Sequence, residues 1–258
     1  MKRADIRFYA ELNDFLLPER RNRTTSYAFL VSGSVKDMIE ALGVPHTEVD
    51  LILANGQSVD FSYRVQHGDR ISVYPVFEAI DISPLIRLRP RPLRDLRFVA
   101  DAHLGRLAAY LRMAGFDTLY RRDYQDEELA AISSNEKRTL LTKDRGLLKR
   151  NAVTRGCYVR AMNPQEQLGE VLQRFDLLGS ISPFQRCVHC NALLQPTRKE
   201  SVSDRLQAET KQYYDEFTVC PSCDRIYWKG SHYRRMQRFI KNVIDLAKKG
   251  CTTPTRPV

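Results

Sequence analysis

No apolar run in this 258-residue chain approaches the ~20 residues that a membrane-spanning helix needs, and nothing at its start resembles a signal peptide. Both absences lead us to expect a soluble, cytoplasmic protein with no membrane partner. Cysteine is scarce too: of six, Cys187, Cys190, Cys220 and Cys223 form two CxxC pairs, while Cys157 and Cys251 stand alone. In a reducing compartment that pairing favours a metal ion over disulfides. Cys157 opens the apolar run CYVRAM and reads as a buried thiol. What the chain does have is 43% apolar residues, enough to bury a core in one large domain or in two to three small ones.

The net charge of +10 points to a polyanionic partner, and its distribution says where. Residues 1–80 carry 9 basic and 11 acidic side chains, residues 97–180 carry 14 and 11, and residues 181–258 carry 14 and 7. The excess is concentrated at the C-terminal end.

Residues 1–80 alternate as strands do at Ile6–Tyr9, Tyr27–Val31, Val49–Leu53 and Arg70–Val76. Ser34 is placed to cap a helix with Val35, Met38, Ile39 and Leu42 on one face and Gly43 as its stop; Asn55-Gly56 marks a hairpin. The order suits a β-grasp fold. With Gly68-Asp69 before its last strand, the segment resembles ubiquitin-like domains related to sulfur carriers. Such carriers end in a free Gly-Gly, whereas here the strand runs on into Glu78-Ala79-Ile80, which argues against sulfur transfer and for a docking or scaffolding role toward a protein partner. Residues 81–95, rich in proline and arginine, read as a semi-extended linker.

From residue 96 the pattern changes to alternating strands and helices. LRFVAD is a buried-type strand, and Leu104, Leu107, Ala108, Leu111 and Ala114 follow at helical spacing up to Gly115. Asp126 stands before EELAAI, where it can cap a helix; TLLT ends at Lys143-Asp144; CYVRAM and PQEQLGEVLQRF complete the series. This predicts a three-layer α/β domain over 96–180 with a mostly parallel sheet. Ligands of such sheets sit at the carboxyl ends of the strands. If the strands pair in parallel, Asp101, Asp126 and Asp144 converge, and like charges so close require a divalent cation. Hard oxygen donors favour Mg²⁺ or Mn²⁺, and the implied chemistry is phosphodiester hydrolysis. Asp126 alone also reads as a helix cap, and Glu127 as a minor ligand or a helix-start charge. Arg106 and Arg112, off the apolar stripe, are candidates for phosphate binding, as is Lys143. His103 reads either as a surface residue or as a neighbour of the reacting phosphate.

Over residues 181–258 the two CxxC pairs predict a structural tetrahedral Zn²⁺ site, with His189 outside the ligand set. The stretch between them reads as a helical or hairpin excursion. Beyond the second pair comes a strand with Tyr227 and Trp228. Ser231 then caps a helix whose Tyr233, Met236, Ile240, Val243 and Ala247 form one face, with Arg234, Arg235, Arg238, Lys241, Lys248 and Lys249 largely outside it. Aromatics that stack on bases beside cations that bind phosphates suit RNA; a plain core with a solvated basic face is the other reading.

The runs FVADAHLGRLAAYLRMAGFDT, DEELAAI, TLLTKDRGLL, CVHC and CPSCDRIYWKGSHYRRM together resemble the Mut-seven C-terminal RNase (Mut-7-C) family, a PIN-like nuclease group often preceded by a ubiquitin-like domain. The resemblance implies metal-dependent cleavage of RNA, with the family's first aspartate on Asp101, its helix-start aspartate on Asp126 and the aspartate of its LLTxD segment on Asp144. Fuller PIN domains carry a fourth acid soon after the last, where Arg145 and Gly146 stand here, so one-metal and two-metal sites both remain open. The resemblance also suggests Lys229 and His232 as RNA contacts. tRNA, rRNA and mRNA are not distinguished as substrates. The alternative is a noncatalytic RNA-binding or ribosome-associated adaptor with a vestigial acid cluster.

Overall fold

The computed structural model describes residues 1–75 and 96–250. The linker expected at 81–95 lies outside the described residues. In chain order the first part holds β1 (Lys2–Phe8), β2 (Thr25–Phe29), α1 (Val35–Ala41), β3 (Val49–Ala54), β4 (Gln57–Val59) and β5 (Arg70–Pro75). Next come β6 (Phe98–Ala100), α2 (Gly105–Met113), β7 (Thr118–Tyr120), α3 (Asp126–Asn135), β8 (Thr139–Thr142), α4 (Arg145–Leu148), β9 (Gly156–Tyr158) and α5 (Pro164–Arg174). The last part holds β10 (Gln195–Thr197), α6 (Lys199–Val202), α7 (Ala208–Tyr213), β11 (Phe217–Val219), β12 (Ile226–Trp228) and α8 (Ser231–Gly250). Contacts divide these residues into two compact units, one joining the chain up to residue 75 with Gln125–Tyr158, the other joining Leu96–Tyr124 with the chain from Val159 onward.

In the first unit a five-stranded sheet runs β2-β1-β5-β3-β4, with β1 and β5 parallel and the other neighbours antiparallel. Alternation in β1 turns Ala4, Ile6 and Phe8 inward, where they meet Ile71 and Val73 of β5, Ile52 of β3 and the α1 face of Val35, Met38 and Ile39. Each fully buried side chain of this kind contributes roughly 1.5–3 kcal/mol. Ser34 caps α1 as expected: its hydroxyl accepts the Asp37 N–H (3.1 Å) while the Asp37 carboxylate accepts the Ser34 N–H (3.3 Å). Asn55 and Gly56 both have positive φ, 52° and 84°, which the tight turn between β3 and β4 requires. The same unit contains α3, β8, α4 and β9. β8 and β9 pair in parallel, Leu141 opposite Cys157, and every residue of β8 is buried, as parallel strands covered on both faces demand. Cys157 is fully buried.

In the second unit β6 and β7 pair in parallel, Val99 opposite Leu119. The predicted apolar stripe of α2 is the buried one: Leu104, Leu107, Ala108, Leu111 and Ala114 are at most 1% exposed. Phe98 sits among Phe116 and Phe175 with ring centroids 6.3 and 5.7 Å away, which ties β6 to α5. An antiparallel sheet, β10-β11-β12, follows. Helix α8 lies against this unit, with Ile240, Val243 and Ala247 buried, Phe239 on Tyr110 (4.4 Å) and the Gln173 side chain donating to Ala247 O (2.6 Å). Among the described residues no helix is long and apolar enough to cross a membrane.

Candidate functional site

Each strand-end acid has a local reason for its position. Asp101 follows the fully buried β6 and leads into a short 3-10 turn, Leu104 N donating to its carbonyl (2.8 Å); its side chain is 13% exposed. His103 Nδ1 lies 3.6 Å from Asp101 Oδ1, but the imidazole is 84% exposed, so it stands at the rim of the acid. Asp144 follows β8 and is the N-cap of α4: Oδ1 accepts from Gly146 N (2.6 Å) and Leu147 N (3.4 Å), and Asp144 N donates to Thr142 Oγ1 (2.9 Å). The cap expected at Asp126 is not there. Gln125 is the N-cap residue of α3, and Asp126 begins the helix with Oδ2 at 3.5 Å from Arg150, which also binds Glu127 at 3.0 Å. The Glu127 carboxyl is held below its usual value by its own backbone N–H and then by Arg150. Arg150 escaped the sequence reading because nothing in RGLLKR announces a partner 24 residues earlier. Lys143, beside Asp144, is half-buried, and Arg106 is exposed on α2.

Arg112 requires a correction. Expected to reach phosphate, it is 4% exposed and donates through Nε to Thr118 O (2.8 Å) and through one terminal nitrogen to Val188 O (3.2 Å) and His189 O (2.7 Å). Burial pushes its guanidinium below the ordinary value, opposed by the nearby Cys187 and Cys190. Its fork fastens the first CxxC turn to α2 and β7. Asn191, inside that turn at φ 74°, does the same from the other side, accepting from Thr118 N (3.0 Å) and donating to Asp117 (2.8 Å).

The four cysteines meet as their spacing predicts. Their sulfurs all lie within 4.8 Å of one another, with Cys187 to Cys223 at 3.5 Å and Cys190 to Cys220 at 3.2 Å. Tetrahedral Zn–S bonds of ~2.3 Å place sulfurs roughly 3.8 Å apart. Cys190 N and Cys223 N each approach the sulfur three residues earlier at 3.5 Å, so both turns present N–H groups to thiolates. Burial pushes the Cys223 thiol up to about 12, while Cys190, against its own burial, is drawn down to about 6 by the Ala192 N–H and the neighbouring thiols. Four sulfurs so close ionise together only around a dication, and the set fits Zn²⁺. His189 is exposed and contributes its carbonyl to Arg112 rather than a ring nitrogen to the cluster.

The two aromatics of β12 part company, as adjacent strand residues must. Tyr227 is half-buried with its hydroxyl 3.0 Å from Cys187 Sγ, and burial and the thiols raise its pKa. Trp228 is 38% exposed. Lys229 pairs with Glu216 at 2.6 Å, and both are well exposed. Along α8, His232, Arg234, Arg235, Arg238, Lys241 and Lys248 are exposed. Ser231, Arg234, Arg235, Gln237 and Arg238 line an open depression of about 470 Å³.

Each unit holds a pair of parallel strands, the first beside a five-stranded β-grasp sheet and the second beside a ribbon with four clustered thiols, which defines a mixed α/β protein with a thiolate metal centre. The chain belongs to the Mut7-C RNAse family: the Mut7-C RNAse domain matches residues 96–240, and the Mut7-C ubiquitin domain matches residues 1–81. No curated protein and no solved structure matches it. The family makes this a ribonuclease-type protein with a ubiquitin-like N-terminal domain.

Proposed function

We propose that the chain is a metal-dependent ribonuclease in which Asp101, Asp126 and Asp144 hold Mg²⁺ or Mn²⁺ and the basic, aromatic C-terminal region holds RNA. The observation that carries this reading is that Asp101 directly follows one buried parallel strand and Asp144 comes one residue after another, each just before a helical turn, the position at which α/β sheets keep their reactive groups. The donors suit a hard cation: all three are carboxylates, and Asp144 caps α4 through Oδ1 alone, which leaves Oδ2 for a ligand. A bound divalent ion would supply water activation and charge neutralisation at phosphorus. The chain's own residues do the rest. Arg106, Lys143, His232, Arg234 and Arg235 bind backbone phosphates, Lys229 exchanges Glu216 for phosphate, and Trp228 offers a stacking face for an unpaired base. Arg112 is not in this set, because it is buried and donates to three backbone carbonyls.

The deciding experiment incubates purified protein and Asp101→Asn with labelled RNA and Mn²⁺. Cleavage by the wild type alone supports the reading; equal cleavage by both overturns it. One observation favours a noncatalytic RNA-binding adaptor instead: Arg150 already pairs with both Asp126 and Glu127. RNA binding without cleavage of any RNA under any divalent ion would favour that reading.

A further inference from the structure

Asp144 stands at the start of a helix of only four residues, Arg145–Leu148, and a single turn is too short to hold itself, because its nucleation cost is spread over too few hydrogen bonds. Besides β8 and β9, on which it packs, it has supports from the N-terminal domain. Arg145 donates to Phe15 O (3.2 Å), and its guanidinium lies 5.1 Å from the Phe15 ring centroid and 5.3 Å from that of Tyr158. Lys149 donates to Glu40 O (2.8 Å), one of the last carbonyls of α1, where a cation also complements the helix dipole. The Thr47 hydroxyl donates to Leu148 O (3.4 Å), which extends the support to the C-terminal end of α4.

The strand that follows is held in the same way. Glu48, fully buried, accepts the Tyr158 N–H (2.7 Å), His46 Nε2 meets Val153 O (3.0 Å), and Lys36 donates to Asn151 (2.7 Å). The fit is close: a Cβ on Gly156 would run into Leu148 and lie 3.6 Å from Thr47 Cβ. These contacts join residues about a hundred positions apart in sequence, and those to Lys36 and Glu40 lie on α1 of the ubiquitin-like domain.

We infer that the ubiquitin-like domain acts in cis, as a clamp that fixes the turn carrying Asp144, with Arg145 and Lys149 as positioning residues. The purpose of the clamp rests on the ribonuclease reading; its existence does not. Without the clamp, α4 frays and the Asp144 carboxylate leaves the geometry that its cap imposes.

The test compares full-length wild type, Arg145→Ala, Lys149→Ala and Arg145→Lys by hydrogen exchange and by RNA cleavage with Mn²⁺. In the two alanine variants, exchange of the amides of residues 146–150 should quicken about tenfold while those of β1 and β5 stay unchanged. Arg145→Lys, which keeps a cation over the two rings, should recover part of that protection. The kcat of the alanine variants should fall about tenfold with KM for RNA unchanged, because the RNA-holding residues are untouched. Unchanged exchange at 146–150 in both alanine variants overturns the clamp, and so does faster exchange spread evenly over the unit, which would mark a loss of general stability. Faster local exchange with unaltered kcat overturns its role at the site. If wild type cleaves no RNA, the ribonuclease reading fails, and the exchange data alone decide whether the clamp exists.

Discussion

Asp144 and Arg112 carry the most separable roles in the chain. Asp144 both caps α4 and, in the proposed reaction, holds a metal, and these uses respond differently to substitution. Asparagine caps as well as aspartate, so Asp144→Asn should leave unfolding free energy within about 0.5 kcal/mol of wild type while abolishing cleavage. Asp144→Ala should lose the activity and about 1 kcal/mol besides. Denaturant titration beside an RNase assay reads both, and a substantial residual rate in Asp144→Asn would remove it from the metal site. Arg112→Ala leaves three carbonyls without their donor in a buried place and should cost about 3 kcal/mol or more. Arg112→Lys should recover little, because a single ammonium cannot reproduce the fork.

In the proposed function, the ribbon and α8 are the elements on which RNA holding depends. The ribbon strands are short, three residues each, so their order comes from the cysteine cluster and from Arg112 and Asn191 rather than from a core of their own. Purified protein should carry one zinc per chain by metal analysis, and Cys190→Ser should lose it together with amide protection in β10, β11 and β12. Trp228→Ala should weaken single-stranded RNA binding by about 1–3 kcal/mol, in line with the removal of one stacking face, and leave the melting temperature nearly unchanged because the ring is already partly outside. An unaltered Kd would return Trp228 to the plain surface.

Over the whole chain, the net charge of +10 acts through its placement, with the excess in residues 181–258. Replacing Arg234, Arg235 and Arg238 by glutamine should reduce the slope of log Kd against log salt by about 1 for each phosphate that the protein then leaves un-neutralised. The family match gives a nuclease segment beginning at residue 96, whereas the contacts join Gln125–Tyr158 with the N-terminal domain. A fragment starting at residue 96 should therefore melt lower and less cooperatively than the full chain by calorimetry, since Tyr158, Leu148 and Val153 lose the surface they pack on.

Local pattern alone determined the β-grasp helix with its Ser34 cap, the Asn55-Gly56 turn, the α2 stripe and the four zinc-type ligands, because each is encoded by residues a few positions apart and governed by periodicity, capping or thiolate chemistry. The class of the fold followed from those patterns. What only the tertiary structure decided is how long-range partners use the polar side chains. Arg112 sits off the apolar stripe of its own helix and reads as exposed, yet the CxxC turn, 76 residues on, covers it. Asp126 and Asp144 exchange the capping role the sequence suggests, because Arg150 takes one and the α4 amides take the other. Arg145, which stands where a fourth acid would be, is instead held by Phe15. A sequence records the charge and reach of such a residue, but its hydrogen-bond partners are chosen by which surfaces folding brings against it.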